Sequence, residues 1–120
     1  MKLILLRSSC GEARTCPNIN ITDRRTYVVQ GNPVTSLDLG GHVLGPGESV
    51  VEIPASLVPE LPADGTAYGA VRRTGRGTVL VRGRLIVDAE TLRELNLPAG
   101  EAAVEIPASA LPELEIAHAG

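Results

Sequence analysis

The sequence predicts a β-rich α+β domain in which two related strand-hairpin units share one aliphatic core, a pseudo-dimer within a single chain. Three observations predict it. The stretch VEIPASLVPEL at 51–61 returns as VEIPASALPEL at 104–114, an offset of 53 residues. Runs of Val, Ile and Leu alternate with polar residues at period two, as in half-buried strands. At 120 residues, 43% hydrophobic and 21% charged, the chain can bury one modest core. With no Trp, no Phe and only Tyr27 and Tyr68, that core must be aliphatic.

The repeat extends backward from its best-preserved segment. Gly47-Glu48 falls on Gly100-Glu101, Leu44 on Leu97 and Leu39 on Leu92, all at the same offset. Further back the offset is 52: TYVVQGNPV (26–34) lies on TVLVRGRLI (78–86), and TDRRT (22–26) on TGRGT (74–78). The chain therefore divides into an N-terminal tail or strand (1–14), copy one (15–61), a joint (62–66), copy two (67–114) and a C-terminal tail (115–120). A unit of about fifty residues is marginal alone, so the copies are expected to pack on each other as a monomeric pseudo-dimer or within a homodimer.

Taken in order, MKLILLRSSC has an apolar run too short for a secretory signal, and no segment is long enough to span a bilayer as a helix. A cytoplasmic protein without a membrane partner is expected. In copy one, TYVVQ and VVEIP read as strands. Gly40 and Gly41 stand where copy two has Arg93 and Glu94, a cost of about 2 kcal/mol of helix propensity. In copy two, GTVLV and RLIV read as strands separated by Arg82-Gly83, a weak hairpin signal. Asp88 takes the N-cap position of a two-turn helix in DAETLRELN, with Leu92 and Leu95 on one face. AAVEI is a strand stopped by Pro107. After each VEIP the chain has room for a single helical turn, whose leucines close onto the core. Glu52 and Glu105 read as water-facing strand positions, not as a catalytic carboxylate pair.

Charge follows the repeat. Residues 1–25 carry five positive and two negative charges, 26–64 none and five, 65–87 five and none, and 88–120 one and seven. Each copy opens basic and closes acidic. The basic limb of copy one holds Arg14, Arg24 and Arg25 and that of copy two Arg72, Arg73, Arg76, Arg82 and Arg84, and all of these but Arg14 are the candidate DNA contacts. Three explanations compete: phosphate contacts to duplex DNA, mutual neutralisation across neighbouring strands, and contact with a partner protein. The near-absence of aromatic rings excludes base-stacking recognition of single strands, and the pI of about 5.3 weighs against a strong general affinity for DNA.

The stretch GRLIVDAETLRELNLPAGEAAVEI (83–106), a Gly-Arg and strand followed by a Leu- and Arg-bearing helix, a turn and an alternating strand, resembles the repeat unit of AbrB/SpoVT/MazE-type swapped-hairpin domains. Copy one (31–53) resembles it faintly. The resemblance implies dimeric transcription regulators and antitoxins that bind DNA through arginines near the first hairpin. A two-copy chain would be such a dimer made covalent, with Arg76, Arg82 and Arg84 facing DNA. The whole chain, with its SSCGEARTCPNI start, also resembles small proteins of high-GC bacteria, a similarity that carries no activity.

Chemistry beyond binding is sparse, and a non-enzymatic protein without cofactor is expected. A protein-interaction module is the alternative, and a small hydrolase or metal protein a more distant one. Cys10 and Cys16 lack C-x2-C spacing, and only His42 and His118 could complete a metal site. A disulfide or redox-responsive pair and free loop thiols both remain open for them. GGHVLGPG lacks the Lys-Ser/Thr of a phosphate loop and reads as a plain loop.

Overall fold

In a computed structural model that describes residues 2–8, 17–34, 45–58, 71–74, 76–95, 97 and 100–110, the aliphatic runs form an antiparallel sheet of seven strands. These are β1 (Leu3–Ser8), β2 (Asn18–Thr22), β3 (Thr26–Pro33), β4 (Glu48–Pro54), β5 (Val71–Arg73), β6 (Thr78–Leu85) and β7 (Ala102–Pro107). The one helix among the described residues, α1 (Ala89–Leu95), joins β6 to β7.

Four strands close on themselves. β3 pairs with β7 from Thr26 to Gly31 and with β4 at Asn32 and Pro33. β6 pairs with β4 from Thr78 to Arg84 and with β7 at Arg84 and Leu85. Both long strands thus change partner near their C-terminal ends, and both carry a glycine there. A Cβ on Gly31 would lie 2.5 Å from the Glu52 carbonyl oxygen, and one on Gly83 would lie 2.5 Å from that of Glu105. Arg82-Gly83 is therefore not a hairpin turn, as the sequence suggested: β6 runs unbroken through it. Gly83 is required for close backbone approach, which a sequence signal for a turn cannot be told from.

The hydrophobic alternation decides which face is buried. Tyr27, Val29, Val51, Ile53, Val79, Val81, Val104 and Ile106 point inside the four-strand ring and are almost completely excluded from solvent. Ile19 from β2 and Val71 from β5 extend this cluster. Burying one such side chain contributes about 1.5–3 kcal/mol, so these positions dominate the stability of the domain. Pro54 ends β4, and a 3-10 turn at Ala55–Leu57 folds Leu57 onto the core; a matching turn at Ala108–Ala110 follows β7.

On the opposite face of β3 and β7 lies a second cluster of Leu3, Val28, Ile86, Leu95 and Ala103. Helix α1 covers it with Leu95 buried and Leu92 packed alongside. Asp88 caps the helix as the sequence predicts: its Oδ2 accepts from the Thr91 backbone N–H at 2.9 Å and from the Thr91 hydroxyl at 2.7 Å. These two bonds hold the Asp88 carboxyl below its ordinary pKa.

β2 has a less obvious sequence for a strand, since Asn is depleted in sheets. Its Asn18 and Asn20 are nevertheless fully buried, and they are satisfied laterally. Asn20 Nδ2 donates to Asn18 Oδ1 at 2.7 Å, Asn18 Nδ2 to Gln30 Oε1 at 3.2 Å, and Gln30 Nε2 to Glu101 Oε1 at 3.0 Å. This row of carboxamides runs from β2 across β3 to the carboxylate of Glu101.

Candidate functional site

The basic residues are placed by two tight turns and one strand. β2 and β3 are joined by Thr22–Thr26, and β5 and β6 by the turn between Thr74 and Thr78. In each, a threonine hydroxyl folds back on the turn: Thr22 Oγ1 accepts from the Arg24 N–H at 3.1 Å, and Thr74 Oγ1 from the Arg76 N–H at 3.0 Å. The turn residue before the second strand is left-handed in both, Arg25 with φ of 57° and Gly77 with φ of 83°. Glycine adopts that conformation freely; an arginine does so at a cost of about 1 kcal/mol.

Each turn is clasped by a glutamate from the neighbouring strand. The Thr26 hydroxyl donates to Glu105 Oε2 at 2.6 Å while Arg24 Nη2 reaches both oxygens of that carboxylate at 3.0 Å. The Thr78 hydroxyl donates to Glu52 Oε2 at 2.6 Å, with Arg76 Nη2 3.1 Å from the same oxygen. Thr22 and Thr74 complete the chains by contacts of 2.6 and 2.7 Å with the second threonine. The Thr78 bond, with smaller help from Arg76, outweighs desolvation and holds the Glu52 carboxyl below its ordinary pKa. The two glutamates read as simple water-facing positions are thus the anchors of both turns. The signal was present in the sequence as the joint recurrence of TDRRT with TGRGT and of VEIP, but only strand pairing brings the two motifs together.

Beside one clasp lies a cleft of about 730 Å³ lined by Arg24, Thr26, Arg82, Arg84, Glu105 and the Gly45–Glu48 turn, among others. Arg24 and Arg84 are both exposed in this cleft. The register partners of Arg84 are Glu48 on β4 and Glu105 on β7, so it stands between two carboxylates. Both are engaged elsewhere: Glu48 Oε1 accepts from the Gly45 N–H at 2.7 Å, and Glu105 is held by Arg24 and Thr26. Among the described residues, no hydrogen bond or ion pair involves the Arg84 guanidinium. Arg82, two residues earlier, lies on the same side of β6 and is half-buried. The lining carries three cations and two carboxylates, a surplus of one positive charge.

Of the seven arginines singled out from sequence, Arg24, Arg82 and Arg84 meet in this cleft. Arg72 is exposed on β5, opposite Leu80 and so on the same sheet face as Arg82 and Arg84, whereas Arg73 lies opposite Val79 on the other face. Arg76 is drawn to Glu52, and Arg25 is exposed at its turn. Arg7, which was not singled out, is buried and donates to the Leu57 carbonyl at 2.8 Å, so it braces the core. Cys10, Cys16, His42 and His118 lie outside the described residues, as does the joint at 62–66.

Among the described residues no cluster of His, Cys, Asp and Glu is suited to a metal ion, and no helix is long and apolar enough to cross a membrane. Comparison with family models, curated proteins and solved structures returns no match.

Proposed function

We infer that this is a non-enzymatic regulatory or antitoxin-like protein, a swapped-hairpin pseudo-dimer made within one chain, that binds duplex DNA through its arginine-bearing strands. The pseudo-dimer reading is supported by the exchange of strands: β3 of copy one pairs mainly with β7 of copy two, and β6 of copy two mainly with β4 of copy one. The clasps repeat in the same register, Thr22, Arg24 and Thr26 with Glu105 against Thr74, Arg76 and Thr78 with Glu52. The exchanged pairing is also what the resemblance to AbrB/SpoVT/MazE-type domains leads one to expect.

The observation that carries the DNA reading is the cleft in which Arg24, Arg82 and Arg84 converge with two carboxylates already occupied. A guanidinium left without a protein partner is suited to a phosphate oxygen, which it can meet with two parallel donors. Arg72 extends the same face toward the sheet edge. The clasped Arg24 and Arg76 serve the turns first, which accords with the mutual-neutralisation explanation for those two.

The test is fluorescence anisotropy of labelled mixed-sequence duplex fragments titrated with the full chain at low salt. Saturable binding is expected; its absence ends this reading. A second reading, docking of a partner protein by strand addition, is favoured by β1, which among the described residues pairs only with β2 and exposes Ile4 to 60%. It predicts a stoichiometric companion in pull-downs that survives nuclease treatment.

A further inference from the structure

The geometry points to a single phosphate-binding site per chain, in the cleft at Arg84, with its counterpart in the other half of the molecule closed to anions. This deepens the DNA-binding reading and rests on the same arginine cleft. It adds that the ligand group is a phosphate-ester oxyanion and that the two halves are not equivalent.

The repeat relates the cleft to a second position in the other half of the chain. Arg24, Thr26 and Glu105 correspond to Arg76, Thr78 and Glu52, and Gly47 and Glu48 correspond to Gly100 and Glu101. The turn glycines match in backbone conformation, with φ of 75° at Gly47 and 84° at Gly100. The two cations of β6 do not match. Arg82 corresponds to Gln30 and Arg84 to Asn32. At the Arg84 cleft three guanidiniums stand with two carboxylates, whereas among the described residues that correspond to them the charged groups are Arg76, Glu52 and Glu101. The surplus is one positive charge in the first and one negative charge in the second.

Hydrogen bonding reinforces the difference. Gln30 is fully buried, and its carboxamide donates to Glu101 and accepts from Asn18, so it is already committed to the protein. Glu48, the counterpart of Glu101, is instead turned onto its own loop by the Gly45 N–H, which leaves Arg84 facing the cleft without it. An oxyanion entering the Arg84 cleft finds an uncommitted fork of N–H donors. One entering the related position meets an uncompensated carboxylate. A doubled architecture that would offer two phosphate sites one half-turn about its axis thus keeps one of them.

Nuclear magnetic resonance of the isotope-labelled full chain tests this, with inorganic phosphate and a short mixed-sequence duplex as the two probes. Phosphate is expected to move the Gly47 and Arg84 amide signals along a single-site saturation curve while Gly100 stays still. In Arg84→Gln the apparent affinity should fall at least tenfold; Arg93→Ala, on the exposed side of α1, should behave as wild type. Equal responses at Gly47 and Gly100, or no response at either, would overturn the proposal with the wild-type protein alone. The duplex arm separates the sources of the phosphate. Duplex binding that leaves Gly47 and Arg84 unmoved removes the cleft but leaves DNA binding standing. Phosphate saturation at Gly47 without duplex binding at low salt keeps the cleft, assigns it to free phosphate esters and removes DNA.

Discussion

The Thr78 hydroxyl on β6 donates a 2.6 Å hydrogen bond to Glu52 on β4, and this bond fastens a hairpin turn to a strand 26 residues away in sequence. The acceptor is charged and only partly exposed, so the bond belongs to the stronger class of side-chain hydrogen bonds. Thr78→Val should lower unfolding free energy by about 1–2 kcal/mol in urea titrations, and Thr26→Val, which releases Glu105, by a similar amount. The exposed arginines of the two clasps should matter less. Arg76→Ala should cost under about 1 kcal/mol, as solvent-exposed ion pairs do.

Acid should act on the same clasp. The Glu52 carboxyl is held below its ordinary pKa by Thr78 and Arg76, so its ionised form is bound more tightly in the folded state than in the unfolded. Its contribution is fully present above the ordinary carboxylate range and is lost as pH falls through and below that range. Asp88, lowered by its two bonds from Thr91, adds to the same trend. Urea midpoints should therefore drop from neutral to acidic pH, and Glu52→Gln should flatten part of that drop. An unchanged profile in Glu52→Gln would remove this account of the clasp.

The crossing of the long strands should tolerate no side chain. Gly31→Ala and Gly83→Ala place a Cβ 2.5 Å from a backbone carbonyl oxygen, with an isoleucine methyl group also within 3 Å. Because the oxygen belongs to a paired strand, relief requires moving the ladder itself. Each substitution should destabilise by about 2–3 kcal/mol or prevent folding, as read by thermal unfolding. Gly77→Ala meets no atom within 4 Å and should cost only the strain of its left-handed backbone, about 1 kcal/mol.

Arg25 offers the reverse test. It holds φ at 57° where the equivalent turn has Gly77, so Arg25→Gly should stabilise the chain by up to about 1 kcal/mol. If Arg25 also contacts phosphate, the same change should weaken duplex binding. Stability gained with binding lost would mark a residue kept for function against its local backbone preference.

The residues explain why some features were readable in advance and others were not. Val51, Ile53, Val104 and Ile106 alternate with Glu52 and Glu105, and that local period gives both the strand and its buried face. Asp88 with Thr91 is likewise a local signal, complete within four residues. β2 escaped because Asn18 and Asn20 look like turn residues until Gln30 and Glu101 are alongside to bond them. Gly83 was read as a turn because the oxygen that demands it, on Glu105, lies 22 residues downstream. The arginine cleft was legible as a list of basic residues. Which of them would be clasped and which left open depends on the register of β6 between β4 and β7.

The most direct test of duplex binding through this cleft is the salt dependence of affinity for mixed-sequence DNA, measured for wild type and for the doubly substituted Arg82→Ala/Arg84→Ala chain. Each phosphate contact contributes about 0.9 to the slope of log affinity against log salt. The account predicts a steep wild-type decline and a slope shallower by about 1–2 in the variant, together with weaker binding at every salt concentration. Identical slopes and affinities in the two proteins would contradict it.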